Sequence, residues 1–273
     1  MKASTILAIT GLSLASGLAF AQQAPSVTQP PKVLQIIREY LKPGKAGVPH
    51  QKTEAAFVKA MADNKWATHY FAMDSLTGPS RSLFFVAYPS FEAWGKDVEA
   101  TNANGTLSAA MDEATQADGE LLSKYESSVF LFHPEMSLHA AVDIPHMRYF
   151  EITQFVIKTG HTRDFENLAK MYIQGYDKVP SAHWATFESV YGENNGGVYI
   201  ILNPMRTLTE VDQGMADAKQ FEASLGESGM KNAADLAAAC IQSVQTNVFI
   251  INPKMSYPMD DWAKADPDFW GQH

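Results

Sequence analysis

The chain of 273 residues has a formal charge of −9, a single cysteine, and lysines and arginines that are scattered rather than clustered. This argues against nucleic acid and anionic membrane surfaces as partners, since both require concentrated positive charge. With Cys240 alone there is no internal disulfide, so stability must come from a packed core.

In chain order, Lys2, the apolar run from Ile6 to Phe20 and the small-x-small site Ala19-Phe20-Ala21 form the pattern of a secretory signal over residues 1–21. The expectation is export to the periplasm or the extracellular space, with an uncleaved anchor as the alternative. About 250 residues follow, enough for one large domain or two ordinary ones. No later segment is apolar over the length of a membrane span. Residues 22–32, rich in Gln, Pro, Ser and Thr, read as an extended linker.

Val33 to Tyr40 reads as a strand ended by the turn dipeptide Pro43-Gly44. A helix is predicted from Pro49 to Asp63, with the proline tolerated in its first turn. Trp66 to Met73 and Leu83 to Tyr88 read as strands joined by a hairpin over Ser75 to Ser80, the second stopped by Pro89. Ser90 is placed to cap a helix starting at Phe91. Asn102 to Gly105 interrupts it before a further helix, Thr106 to Lys124, and Val129 to Phe132 closes the series as a strand ended by Pro134.

The order then repeats. Strands are predicted over Tyr149 to Ile157, His183 to Tyr191, Val198 to Leu202 (stopped by Pro204) and Val248 to Ile251 (stopped by Pro253). Helices are predicted over Arg163 to Tyr176, Leu208 to Leu225 and Met230 to Val244, with a hairpin loop from Gly192 to Gly197. Four landmarks match at nearly constant separation: Gly44 with Gly160, Trp66-Ala67-Thr68 with Trp184-Ala185-Thr186, Tyr88-Pro89 with Asn203-Pro204, and the two closing strands with their following Met and Ser. One unit present twice is the simplest account. It divides the chain into residues 33–137, a connector 138–146, residues 147–257 and an acidic, aromatic tail 258–273.

Two strand-helix-strand-strand-helix-strand units in one chain resemble the dimeric α/β-barrel superfamily in its tandem form. The resemblance implies an α+β fold: two ferredoxin-like (βαββαβ) repeats whose antiparallel sheets pack as a pseudo-dimeric α/β barrel. Within it, Arg38-Glu39-Tyr40-Leu41-Lys42-Pro43-Gly44-Lys45 looks like the opening of NIPSNAP-type domains, of which the second half keeps only Gly160. The superfamily includes cofactor-independent monooxygenases, isomerases, decarboxylases, haem-dependent chlorite dismutases and binding modules. The resemblance therefore implies a place for a ligand, between the sheets or beneath one of them, rather than a chemistry.

Strand alternation sorts residues into faces. Leu34, Ile36, Phe150 and Ile152 form an apolar set expected beneath helices; Gln35, Ile37 and Glu39, with Glu151, Thr153 and Phe155, are expected to line the cavity. On the second strands Trp66, Thr68 and Tyr70 share a face, as do Trp184, Thr186 and Glu188. Glu151 and Glu188 are the candidate catalytic bases, and Gln35, Glu39, Thr68, Tyr70 and Thr186 the candidate ligand-binding groups. Solvated carboxylates and packing tryptophans are the competing structural explanation.

The eight histidines show neither a His-x-His pair nor a His-Glu-x-x-His motif, so no metal and no resident cofactor is expected. His146 and His183 are the best-placed axial ligands for a haem alternative. There is no Gly-x-Ser-x-Gly elbow and no phosphate-cradling loop. The reading is an exported protein that binds a small, largely apolar molecule and is open to catalysis without a cofactor. A haem enzyme or carrier, and a non-catalytic interaction protein using a sheet face or the tail, are the alternatives.

Overall fold

The computed structural model describes residues 27–193 and 197–271; the expected signal segment over residues 1–21, residues 22–26 of the expected linker, residues 194–196, Gln272 and His273 lie outside them. Eight strands form one closed antiparallel barrel: β1 (Val33–Leu41), β2 (Tyr70–Ser75), β3 (Arg81–Tyr88), β4 (Leu122–Phe132), β5 (Tyr149–Ile157), β6 (Ala185–Tyr191), β7 (Val198–Met205) and β8 (Ile241–Tyr257). Around the barrel the order is β1-β3-β2-β8-β5-β7-β6-β4. Each half contributes a ferredoxin-like sheet, β4-β1-β3-β2 and β8-β5-β7-β6, and the halves are sewn together by the β2–β8 and β4–β6 pairs. Closure leaves no sheet edge to protect.

Helices α1 (Val48–Asp63), α2 (Phe91–Ala103) and α3 (Gly105–Gly119) belong to the first half, and α4 (Thr162–Tyr176) and α5 (Thr209–Cys240) to the second. Their starts follow from local chemistry. Ser90 Oγ accepts from the Ala93 amide at the start of α2, and the Asn104 side chain accepts from the Leu107 amide at the start of α3, each satisfying an otherwise orphaned donor. Two helices predicted in the second half are merged into α5, but Gly226, at φ 64°, breaks the helical backbone between them. Two short helices, α6 (Asp260–Ala265) and α7 (Pro267–Trp270), fold the tail onto the barrel. Among the described residues, no helix is long and apolar enough to cross a membrane.

Several boundaries differ from expectation for identifiable reasons. β2 begins at Tyr70 rather than Trp66, and the Trp66 and Thr68 side chains bond an aspartate on α2. α3 stops at Gly119, and Leu122 to Lys124, expected as helix, open β4. β7 runs through Pro204 to Met205; β6 pairs with it only as far as Leu202, so the proline has a strand neighbour on one side only, where its missing N–H breaks no ladder.

The closing strands differ most. β4 ends at Phe132 and Pro134 opens a 3₁₀ turn, whereas β8 continues through Pro253 to Tyr257. There the β2–β8 register shifts, and Ser256 Oγ replaces a ladder carbonyl by accepting from the Ala72 amide at 2.9 Å while donating to Asn252 O.

The largest correction concerns the faces. Leu34, Ile36, Phe150 and Ile152, expected beneath helices, instead fill the barrel interior with Met73, Phe85, Phe130, Phe187, Ile200 and Phe249. Gln35, Ile37, Glu39, Glu151, Thr153 and Phe155 are consequently on the outer face of the barrel. An eight-stranded barrel is just wide enough to be filled by its own side chains, so the apolar set goes inward. Alternation separates two faces of a strand without saying which one is inside.

Candidate functional site

The middle of the barrel is packed, but one end is open as a cavity of about 370 Å³. Its floor is Leu34, Phe71, Phe85, Phe150 and Phe187, the inward residues nearest that end. The residues before β1, the connector and the tail form its rim; Thr28 pairs with Val142, which ties the end of the linker to the connector. The tail closes part of the mouth. Trp262 faces the cavity, and Trp270, 1 % exposed, donates its indole N–H to Pro145 O at 2.9 Å. The opposite end of the barrel is sealed by polar groups, among them Arg38, which binds Ser128 Oγ at 2.8 Å and Glu193 at 2.9 Å.

Among the described residues, no Asp, Glu, Lys or Arg lines the open cavity. Its lining residues with polar side chains include Thr68, His69 and His183. His69 stands out, because its Nδ1 is buried without a hydrogen-bond partner and its ring is stacked on Tyr257, 4.6 Å between centroids. A buried unpaired nitrogen carries a free-energy penalty, and the same ring lines the cavity. His69 belongs to no sequence motif; only its place at the mouth reveals it.

His183 and His146 offer nothing comparable to a haem. Both ring nitrogens of His183 are engaged by carbonyl oxygens, Ser181 O at 2.9 Å and Pro204 O at 2.7 Å, which leaves neither free for a metal. His146 does not line the cavity, and its Nδ1 is held by Asp143 at 2.9 Å. With no Lys or Arg among the described residues of the wall to receive propionates, the residues present do not fit that group in the cavity.

The predicted site residues are not brought together. Glu151 is half-buried on the outer face of β5, and Glu188 lies outside the cavity, 3.0 Å from His133 Nε2. The Glu188 carboxylate, after burial, holds the Tyr199 hydroxyl above its usual range. Gln35 is on the outer face of β1, bonded to Ser127 Oγ at 3.1 Å.

Thr68 and Thr186 have matching structural roles. Trp66 Nε1 and Thr68 Oγ1 both donate to Asp97 Oδ1, at 2.9 and 2.6 Å, while Tyr88 OH donates to the other oxygen. Trp184 Nε1 and Thr186 Oγ1 both donate to Met136 O, at 2.9 and 2.7 Å. The Trp-Ala-Thr tripeptide is thus a two-donor clamp that closes on one oxygen in each half, a carboxylate in the first and a backbone carbonyl in the second.

Glu39 and Tyr70 lead to a different place. Glu39 lies on the outer face of β1 beneath α1 and α3, within a buried group formed by His50 and Glu54 of α1 and Asp118 of α3. Their exposures are 7 % for Glu39, 1 % for His50, 3 % for Glu54 and 2 % for Asp118. His50 Nε2 is 3.0 Å from Glu39 Oε2, 3.4 Å from Asp118 Oδ1 and 3.8 Å from Glu54 Oε1. Burial first, then the neighbouring carboxylates Glu39, Asp118 and Asp74, push Glu54 well above the usual carboxylate range. Glu39 is also raised, by burial, against the opposing His50 hydrogen bond. Tyr70, whose hydroxyl is buried without a partner, is pushed well up by burial and by the charges of Glu54 and Glu39.

No protein-family model and no curated protein matches the chain. Solved structures do. A protein of Fusobacterium nucleatum subsp. nucleatum with a provisional monooxygenase assignment superposes with a TM-score of 0.54 at 8 % identity, covering 80 % of this chain and 91 % of its own. A provisionally assigned chlorite dismutase superposes at 0.50 and 10 % identity, covering 85 % of this chain and 98 % of its own. At such identities the likeness concerns backbone alone. The closed eight-stranded sheet and these neighbours give the chain the dimeric α/β-barrel fold.

Proposed function

We propose that this chain binds a small, largely apolar molecule carrying one hydrogen-bonding group in the cavity at the open end of the barrel. The observation that carries the reading is a largely apolar cavity that, among the described residues, no Asp, Glu, Lys or Arg lines, with His69 among its few polar residues. A concave, mostly apolar space of this size with few polar groups is the usual form of a small-molecule site. Proton transfer is the chemistry such a wall supports: His69 would meet the ligand's acidic or accepting group away from bulk water. The monooxygenase assignment of one structural neighbour is in keeping with oxygenation of a bound apolar substrate.

Export, from the pattern of residues 1–21, and descent of the halves from one duplicated unit with a NIPSNAP-like opening belong to the same reading. Duplication would account for the matching Trp-Ala-Thr clamps.

The test is titration of the purified chain with an apolar fluorescent probe, anilinonaphthalene sulfonate, followed by displacement with uncharged aromatic ketones and phenols. Saturable binding at one site is expected. His69→Leu should weaken the polar competitors roughly 10-fold, the scale of a lost buried hydrogen bond, and leave an apolar competitor such as naphthalene nearly unchanged. Equal loss for both classes, or no saturable binding, would overturn the assignment.

A further inference from the structure

The cluster beneath α1 and α3 lies on the opposite side of the sheet from the cavity floor, and the ligand-binding reading makes no use of it. Three carboxylates and one imidazole converge there, each nine-tenths or more buried, with their ligand atoms all within 4.8 Å of one another. Among the described residues, no Lys or Arg forms an ion pair with any of the four; their only ionic partners are each other. Buried carboxylates in such excess require protons or a cation.

The hydrogen bonds around His50 narrow the choice. Ser82 Oγ donates to Asp74 Oδ1 at 2.5 Å, and Asn252 Nδ2 holds the other oxygen of Asp74 at 2.7 Å. With its one proton committed, Ser82 Oγ is left to accept from His50 Nδ1 at 3.3 Å. With Nδ1 oriented in this way, Nε2 faces Glu39, Asp118 and Glu54 at once. A chain from metal-binding histidine through its second nitrogen to a carboxylate system is the usual way such a ring is oriented. Independently, Glu54 Oε1 points into the group and has no hydrogen-bond partner.

The separations suit a common ion. Ligand atoms about 2.1 Å from a tetrahedral centre lie about 3.4 Å apart, and about 3.0 Å apart around an octahedral one; those from His50 Nε2 are 3.0, 3.4 and 3.8 Å. One nitrogen among carboxylate oxygens favours a divalent first-row transition ion over Ca²⁺, which takes oxygen ligands, and over soft ions that prefer thiolate.

We propose that Glu39, His50, Glu54 and Asp118 form a closed binding site for one divalent transition-metal ion of the Mn²⁺, Fe²⁺ or Zn²⁺ type, which fastens α1 and α3 to β1. Its role is structural, since burial of all four ligands leaves no open position for a substrate. Glu54 and His50 occupy successive turns of α1, and Asp118 is fixed by Thr53 Oγ1 at 2.6 Å, so three of the four ligands are oriented by helix geometry.

The test uses the full chain, stripped with a chelator and then loaded separately with Mn²⁺, Zn²⁺ and Co²⁺. Elemental analysis after gel filtration should find close to one equivalent retained. Co²⁺ should give visible d–d bands distinct from those of the aqueous ion, and at least one ion should raise the melting temperature. His50→Ala and Glu54→Gln should each weaken the apparent Kd by at least roughly 10-fold, given that even outer-sphere partners matter this much. Glu135→Gln, altering an exposed carboxylate paired with His133, should not. Retention well below one equivalent with an aqueous-type Co²⁺ spectrum overturns the proposal; these two readouts need no variant and stand even where one fails to fold. Unchanged affinity in both folded variants, or Ca²⁺ bound in preference to all three ions, overturns it equally.

Discussion

The two helix-covered faces of the barrel are built on the same strand order yet filled with opposite chemistry. In the first half Glu39 of β1 pairs with Ser82 of β3, and in the second the topologically corresponding pair is Phe155 of β5 with Tyr199 of β7. Where α1 buries His50 and Glu54, α4 buries Phe165 and Leu168. The second face is thus an ordinary apolar layer, with Phe165, Tyr199, Ala233 and Cys240 packed together. This fold can cover its sheet with hydrocarbon alone, so the buried acids of the first face are not imposed by the architecture. They call for a ligand, and a cation is the one their geometry fits.

The contrast can be broken most severely on the apolar side. Phe165, 3 % exposed, lies 4.8 Å from the Tyr199 ring and 5.3 Å from that of Phe155. Phe165→Ala should lower unfolding free energy by about 3–5 kcal/mol in urea denaturation, through lost transfer energy and the cavity left behind. A much smaller loss would mean that α4 is not held by this layer.

On the polar side the effect should be smaller and should depend on pH and cation. Glu54 and Glu39 have folded-state pKa values raised above the ordinary 4.5, so the folded chain binds their protons more tightly than the unfolded one. Their contribution is therefore fully present below about pH 4.5 and is lost as pH rises through the raised values. Around them stand Asp118 from α3, Asp74 and Tyr70 from β2, and His50 from α1. With chelator present, the chain should thus be less stable at pH 8 than at pH 5 with respect to these groups, and Glu54→Gln should flatten that difference. At pH 8 the variant should be more stable than the metal-free parent, because it removes a carboxyl whose charged form burial opposes. With a bound cation the order should reverse. Parallel pH profiles for parent and variant would sink this account of the first face.

The smallest effects sharpen the comparison between the two Trp-Ala-Thr clamps. Thr68 donates to a carboxylate and Thr186 to a backbone carbonyl. Hydrogen bonds to charged acceptors are the stronger, so Thr68→Ala should cost about 1.5–2 kcal/mol and Thr186→Ala about 1 kcal/mol by thermal or chemical denaturation. The reverse order would show that the fully buried Thr186 is held more by packing than by its bond.

Much of the fold could be read directly along the chain, because strand and helix signals are local. The turn at Pro43-Gly44, the cap at Ser90 and the break at Gly226 act within a few residues of themselves. The candidate site was less legible. His50 and Glu54 sit four apart on one helix face, a spacing that is a visible signal in the sequence. Glu39 is on the strand before them and Asp118 on a helix far along the chain, so no motif of fixed spacing connects the four. Glu151 and Glu188 drew attention as acids on predicted strands, yet neither lines the cavity, and His69, which does, has no distinguishing neighbours in sequence.

The sequence by itself determined the order of the elements and the alternation of apolar with polar residues along β1 and β5, since each depends on backbone preferences and side-chain period over a few residues. Which face of those strands turned inward was decided only by tertiary structure. Closing eight strands into a barrel leaves an interior that side chains must fill, and the hydrophobic effect assigns it to Leu34, Ile36, Phe150 and Ile152. That single choice sends Glu39 outward beneath α1 and α3, leaves Glu151 off the cavity wall, and creates both the apolar mouth with its unpaired histidine and the buried acidic cluster behind it.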